Sequence, residues 1–173
     1  MADRDGVTLY LFNHGHKKYS NITSPQKVQE IFRSQRPSGS TNLAGVLKVA
    51  FQEHFSGNKP TTSNQKKKNS TFFFFLNIFL LTKKNNLVLV ITDGSPDSEI
   101  QVINEIQGAS NKLRRDEDLS VTFIQIGNDR AASRFLKKLD DDLKCRFDIV
   151  DTVSCDQFNG MSFEQLIEKS IND

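Results

Sequence analysis

The sequence predicts an α/β fold: a doubly wound, mostly parallel sheet with helices on both faces, in the three-layer Rossmann-like arrangement. Three observations predict it. Leu87-Val-Leu-Val-Ile91 shows no polar alternation, which marks a strand buried on both faces. Two further apolar strands follow, Val121-Thr-Phe-Ile-Gln-Ile126 and Phe147-Asp-Ile-Val150. Between them the apolar residues recur at helical spacing, and strands alternating with helices imply parallel pairing through right-handed crossovers. The length of 173 residues suits one domain.

The elements follow in order. Val7-Thr-Leu-Tyr-Leu-Phe12 reads as a strand, Asn13-His-Gly-His16 as a turn, and Lys17 to Ile22 as a hairpin partner. Thr23-Ser-Pro-Gln26 starts a helix: Pro25 suits the first helical position, and Thr23 with Gln26 fits a capping box. Val28, Ile31 and Phe32 form its apolar stripe, and Pro37-Ser-Gly-Ser40 breaks it. In the next helix Leu43, Val46, Leu47, Ala50, Phe51 and Phe55 recur at three and four, so one face is buried. Beyond the strand at 87–92, a helix is expected from about Ser98 to Arg114. Another carries Ala132, Phe135, Leu136, Leu139 and Leu143. A last one is capped by Ser162 and Gln165 and carries Phe163, Leu166, Ile167 and Ile171.

Residues 61–86 break this grammar. A Lys/Asn/Ser/Thr flank precedes Phe72-Phe-Phe-Phe-Leu-Asn-Ile-Phe-Leu-Leu81, and Lys83-Lys-Asn-Asn86 follows. The segment reads as an insertion of low complexity. A transmembrane helix needs about twenty apolar residues, and this run is shorter and contains Asn77. A buried strand fits better, with Lys66–Lys68 and Lys83–Lys84 as charged gatekeepers against aggregation.

Charge and composition exclude several classes. Net charge is +2 with 25% charged residues, so no strong field points to nucleic acid. Cys145 and Cys155 make neither a zinc set nor a disulfide framework. No apolar leader follows Met1, so an intracellular, cytoplasmic setting is expected. The Ser38–Gly45 turn lacks the Gly-Lys-Ser/Thr of a nucleotide loop. No Ser/His/Asp or Cys/His set has local support. His14 and His16 lack a third ligand and read as loop residues.

Two polar turns carry the chemistry. Gly39-Ser40-Thr41-Asn42-Leu43 opens the amphipathic helix, and Thr92-Asp93-Gly94-Ser95 ends the 87–92 strand. Ligands in open α/β sheets bind just past the carboxyl ends of strands. A Thr hydroxyl and an Asp carboxylate there suit a hard cation such as Mg²⁺, which takes about six oxygens near 2.1 Å. Ser40, Asn42, Gly94, Ser95, Asn128 and Asp129 would form the rim. Thr41 and Asp129 also suit helix N-caps, and Asp93 a turn before glycine.

The two turns, in this order with one helix between them, resemble a von Willebrand factor type A domain. In that family the metal site has three parts: an Asp-x-Ser-x-Ser on the first strand, a Thr in a Gly/Ser-rich loop, and an Asp after a later strand, often within Thr-Asp-Gly. Thr41 and Asp93 match the second and third parts. No Asp-x-Ser-x-Ser occurs in the chain. The family's first strand lies centrally, between the strands matching 7–12 and 87–92. The resemblance therefore implies a domain lacking its first strand, with a partial site and weak or absent Mg²⁺ binding. The edges beside that gap would need a partner, and the Phe72–Leu81 run is placed to supply one.

The function expected is a non-enzymatic protein-interaction module. Its protein partner would complete the metal's coordination with a carboxylate; neither nucleic acid nor a transmembrane segment is implied. Two other readings compete: a truncated or aberrant product without a competent site, and a Mg²⁺-dependent hydrolase of the doubly wound class using Asp93 with Asp97 or Asp129.

Overall fold

A computed structural model describes residues 7–34, 40–56, 78–82 and 87–154. The strands are β1 (Val7–Phe12), β2 (His16–Ile22), β3 (Ile78–Thr82), β4 (Leu87–Thr92), β5 (Ser120–Gln125) and β6 (Val150–Ser154). The helices are α1 (Pro25–Ser34), α2 (Leu43–Phe55), α3 (Glu99–Ser110) and α4 (Arg130–Asp141). The strands form one sheet in the order β2-β1-β3-β4-β5-β6.

Connection length decides strand direction. β1 and β2 are separated by residues 13–15 and pair antiparallel. β3 and β4 are separated by residues 83–86 and also pair antiparallel. Connections this short make hairpins, whereas parallel neighbours need a crossover of a dozen residues or more. α3 lies in such a crossover between β4 and β5, and α4 in another between β5 and β6; both pairs are parallel. The sheet is therefore mixed, and the expectation of a mostly parallel one is corrected: three of its pairings are antiparallel, two of them made by β3.

β3 lies between β1 and β4. Val7 to Leu11 pair with Thr82 to Ile78, and Ile78 to Leu81 pair with Ile91 to Val88. The expected strand in the Phe-rich run thus exists over Ile78–Thr82, while 72–77 lie outside the described residues. β3 runs opposite to both neighbours, so β1, β4, β5 and β6 all point one way. Their carboxyl ends share one end of the sheet.

Hydrophobic clusters cover both faces. Val88 and Val90 join α2, α3 and α4 through Leu43, Val46, Leu47, Val102, Ile106, Phe135 and Leu136. Leu89 and Ile91 point the other way and meet Leu9, Ile124, and Val28 and Ile31 of α1. Alternation along a strand that is buried on both faces requires this division. At the sheet margin Glu53 of α2, only 7% exposed, pairs with Lys18 of β2 at 2.5 Å. Burial, reinforced by Glu53, pushes the Tyr10 hydroxyl far above its usual range.

Several boundaries differ from the sequence reading. α1 begins at Pro25 and its first turn is bonded to Ser24, whose side chain accepts from Lys27 N–H at 3.4 Å, so Ser24 caps the first turn and the expected Thr23–Gln26 box is corrected. α3 stops at Ser110 with Asn111 as its C-cap, four residues before Arg114. β6 starts at Val150; Phe147 lies before it, tied to Ser110, whose hydroxyl accepts from Phe147 N–H at 2.9 Å. The expected last helix and Cys155 lie outside the described residues, as do Lys66–Lys68 and Lys83–Lys84.

Candidate functional site

Three loops meet at the carboxyl ends of β1 and β4. The first is the turn after β1, where Asn13 N–H donates to the Gly15 carbonyl at 2.8 Å and Gly15 N–H to Asn13 Oδ1 at 3.1 Å. The second is the entry to α2. Asn42 N–H donates to the Asn13 carbonyl at 2.8 Å, and Asn42 Nδ2 donates to the His14 carbonyl at 3.2 Å. The third follows β4, where Thr92 Oγ1 donates to the Gly94 carbonyl at 3.1 Å and folds the chain back after Asp93.

The second and third loops are clasped to each other. Thr41 N–H donates to Asp97 Oδ1 at 2.8 Å, and Asp97 N–H donates to the Thr41 carbonyl at 3.0 Å. Thr41 is 8% exposed and Thr92 1%. The turns carrying Thr41 and Asp93 are thus brought to one end of the sheet, although fifty-two positions separate them. Asp93, Gly94 and Ser95 are half-buried and Ser40 is exposed. Ser95 Oγ is buried and has no hydrogen-bond partner among the described residues.

Thr41 is not the helix cap. Asn42 is: its Oδ1 accepts from Gly45 N–H at 2.9 Å. The N-cap alternative for Thr41 is thereby corrected, because the helix starts one residue later than that role requires. Gly45 makes this cap possible, since a Cβ there would stand 2.7 Å from the Asn42 amide.

The other rim residues stand apart. Asp129 caps α4, its Oδ1 accepting from Ala132 N–H at 2.6 Å, and Gln125 Nε2 donates to its carbonyl at 3.0 Å. Asn128 and Asp129 are exposed after β5, and Gly127 turns the chain with φ at 79°. β5 pairs with β4 up to Thr92↔Gln125, and just beyond it Ile126 N–H donates to the Thr92 carbonyl at 2.9 Å. Asn13 escaped the sequence reading as a contributor to the site. The signal was its position two residues before Gly15, which favours a tight Asn turn.

Chemically, the cluster offers oxygen donors: the Thr41 and Ser95 hydroxyls and the Asp93 and Asp97 carboxylates. Among the described residues no group of three His, Cys, Asp or Glu side chains has a metal-holding arrangement. Elsewhere, burial pushes the Cys145 thiol up, which keeps it protonated and poorly nucleophilic. No helix among the described residues is long and apolar enough to cross a membrane. Comparison with protein-family models, curated proteins and solved structures finds no match for the chain.

Proposed function

We propose that the chain is a non-enzymatic protein-interaction module of the von Willebrand A type, built on a doubly wound sheet whose central strand is supplied by the inserted segment. The observation that carries this reading is the reciprocal Thr41–Asp97 clasp, which holds the two motif-bearing turns together. The binding face is the end of the sheet at Thr41, Asp93 and Ser95, rimmed by Ser40, Asn42 and Gly94. A partner engages it through a carboxylate, with Mg²⁺ held weakly or not at all between them.

Two features disfavour the hydrolase. Asp97 is engaged with the Thr41 backbone, and Asp129 is engaged in capping α4. One oxygen of each carboxylate is thus committed to a structural hydrogen bond, and geometry is the first requirement for a general base.

Mn²⁺ titration followed by amide-resonance broadening tests the reading. The amides of 41–42 and 93–97 should broaden before any others, and a Glu-containing peptide should strengthen the effect. Broadening led by other acidic segments, such as 116–118 or 140–142, would refute it. Phosphatase and esterase panels should return background rates. Turnover abolished by Asp93→Asn would restore the hydrolase.

A further inference from the structure

Ser95 stands in the short loop between β4 and α3, and that loop is pinned at both ends. At its start Thr92 Oγ1 donates to the Gly94 carbonyl at 3.1 Å, and the Thr92 carbonyl accepts from Ile126 N–H at 2.9 Å. At its end Asp97 exchanges two hydrogen bonds with the Thr41 backbone, and Ser98 caps α3, its Oγ accepting from Gln101 N–H at 3.4 Å. The Thr92 and Ser98 hydroxyls thus serve the fold. The Ser95 hydroxyl does not: its Oγ is shut off from solvent and has no hydrogen-bond partner among the described residues.

A buried hydroxyl without a partner destabilises a fold, because it has given up its bonds to water and regained none. Such groups are rare in native proteins, and a bound ion is one of the few things that accounts for them. A bare cation suits this one better than a water molecule. A cation such as Mg²⁺ approaches its ligand oxygens to about 2.1 Å, against about 2.7–2.8 Å for a hydrogen bond from water. It can therefore reach an oxygen that water cannot. The carboxylates nearest in the chain are Asp93, two residues back, and Asp97, two residues on. Asp97 Oδ1 is committed to Thr41 N–H. With so few carboxylate oxygens to draw on, a hard cation here must take hydroxyl oxygens as well.

We propose that the Ser95 hydroxyl is an oxygen ligand of a hard divalent cation, held with Thr41 and Asp93 where the loop after β4 meets the entry of α2. This role rests on the interaction-module reading above and gives its weak cation site a third protein ligand.

Ser95→Ala separates this role from a structural one. Removing a hydroxyl that serves the fold lowers stability, whereas removing an orphaned one raises it. In metal-free buffer the thermal midpoint of Ser95→Ala should therefore lie about 2–4 °C above the parent's. Mn²⁺ takes the same oxygen ligands as Mg²⁺. It should broaden the 41–42 and 93–97 amides of the parent, and it should bind Ser95→Ala at least about tenfold more weakly, the loss usual even for groups that only support a metal ligand. A variant both more stable and poorer in binding is the result expected. A lower midpoint for Ser95→Ala would show that the hydroxyl is satisfied within the fold and would overturn the proposal. Equal Mn²⁺ affinity of parent and variant at these amides would overturn it as well, while leaving the interaction-module reading standing. No broadening of these amides in the parent would overturn the reading and the proposal together.

Discussion

Thr41 and Asp97 hold each other by two hydrogen bonds of opposite sense, at 2.8 and 3.0 Å, and so tie the entry of α2 to the loop after β4. One bond uses the Asp97 side chain and the other its backbone. The side chain is therefore separable by mutation. Asp97→Ala should destabilise the protein by about 1–2 kcal/mol, because it leaves the Thr41 N–H without its acceptor in a partly buried place. Asp97→Asn keeps a carbonyl acceptor and should cost less than half as much. Urea unfolding of both variants checks this, and equal stability of Asp97→Ala and the parent would remove the clasp from the account.

Two glycines should respond oppositely to alanine. Gly108 lies inside α3 with open space where a Cβ would go, so Gly108→Ala should stabilise by about 0.5–1 kcal/mol. Gly45 lies in the first turn of α2, where the new Cβ meets the Asn42 amide at 2.7 Å. Gly45→Ala displaces the cap, which costs about 1 kcal/mol and cancels the helix gain. Thermal unfolding of the pair should show a higher midpoint for Gly108→Ala only.

These glycines and caps mark the limit of what the sequence discloses. The apolar strands at 87–92 and 121–126 and the heptad-like stripe of α2 were legible, because burial on one or two faces writes a period into the chain. The placement of Asp129 as a cap was equally readable from the turn before it. Strand direction was not. The Phe-rich run announced a β-prone segment beside an unpaired edge, but its antiparallel sense is set by the four residues to β4, and helix-period arguments do not see that. Nor did the sequence distinguish Thr41 from Asn42 as the cap. Both residue types suit the role, and only the tertiary bond to Asp97 assigns Thr41 elsewhere.

His54, near the end of α2, should make stability fall in mild acid. It lines a cleft of about 290 Å³ with Phe55, Lys112, Leu113, Arg114 and Asp118. Burial holds its pKa below the usual 6.5, against the pull of Asp118. The fold therefore favours the neutral ring. That contribution is complete above about pH 6.5, the unfolded value, and is lost as pH falls through the lower folded value. Denaturation midpoints should drop more steeply from pH 7.5 to 5 in the parent than in His54→Gln. Parallel profiles would show that His54 has no such role.

β3 lies between β1, which anchors the Asn13 turn, and β4, and among the described residues it joins the two in the sheet. Amide hydrogen exchange across Ile78–Thr82 tests this most directly. Amides that bond to β1 or β4 should be protected to the same degree as those of β4 itself. Rapid exchange throughout 78–82, with β4 and β5 still protected, would contradict the account.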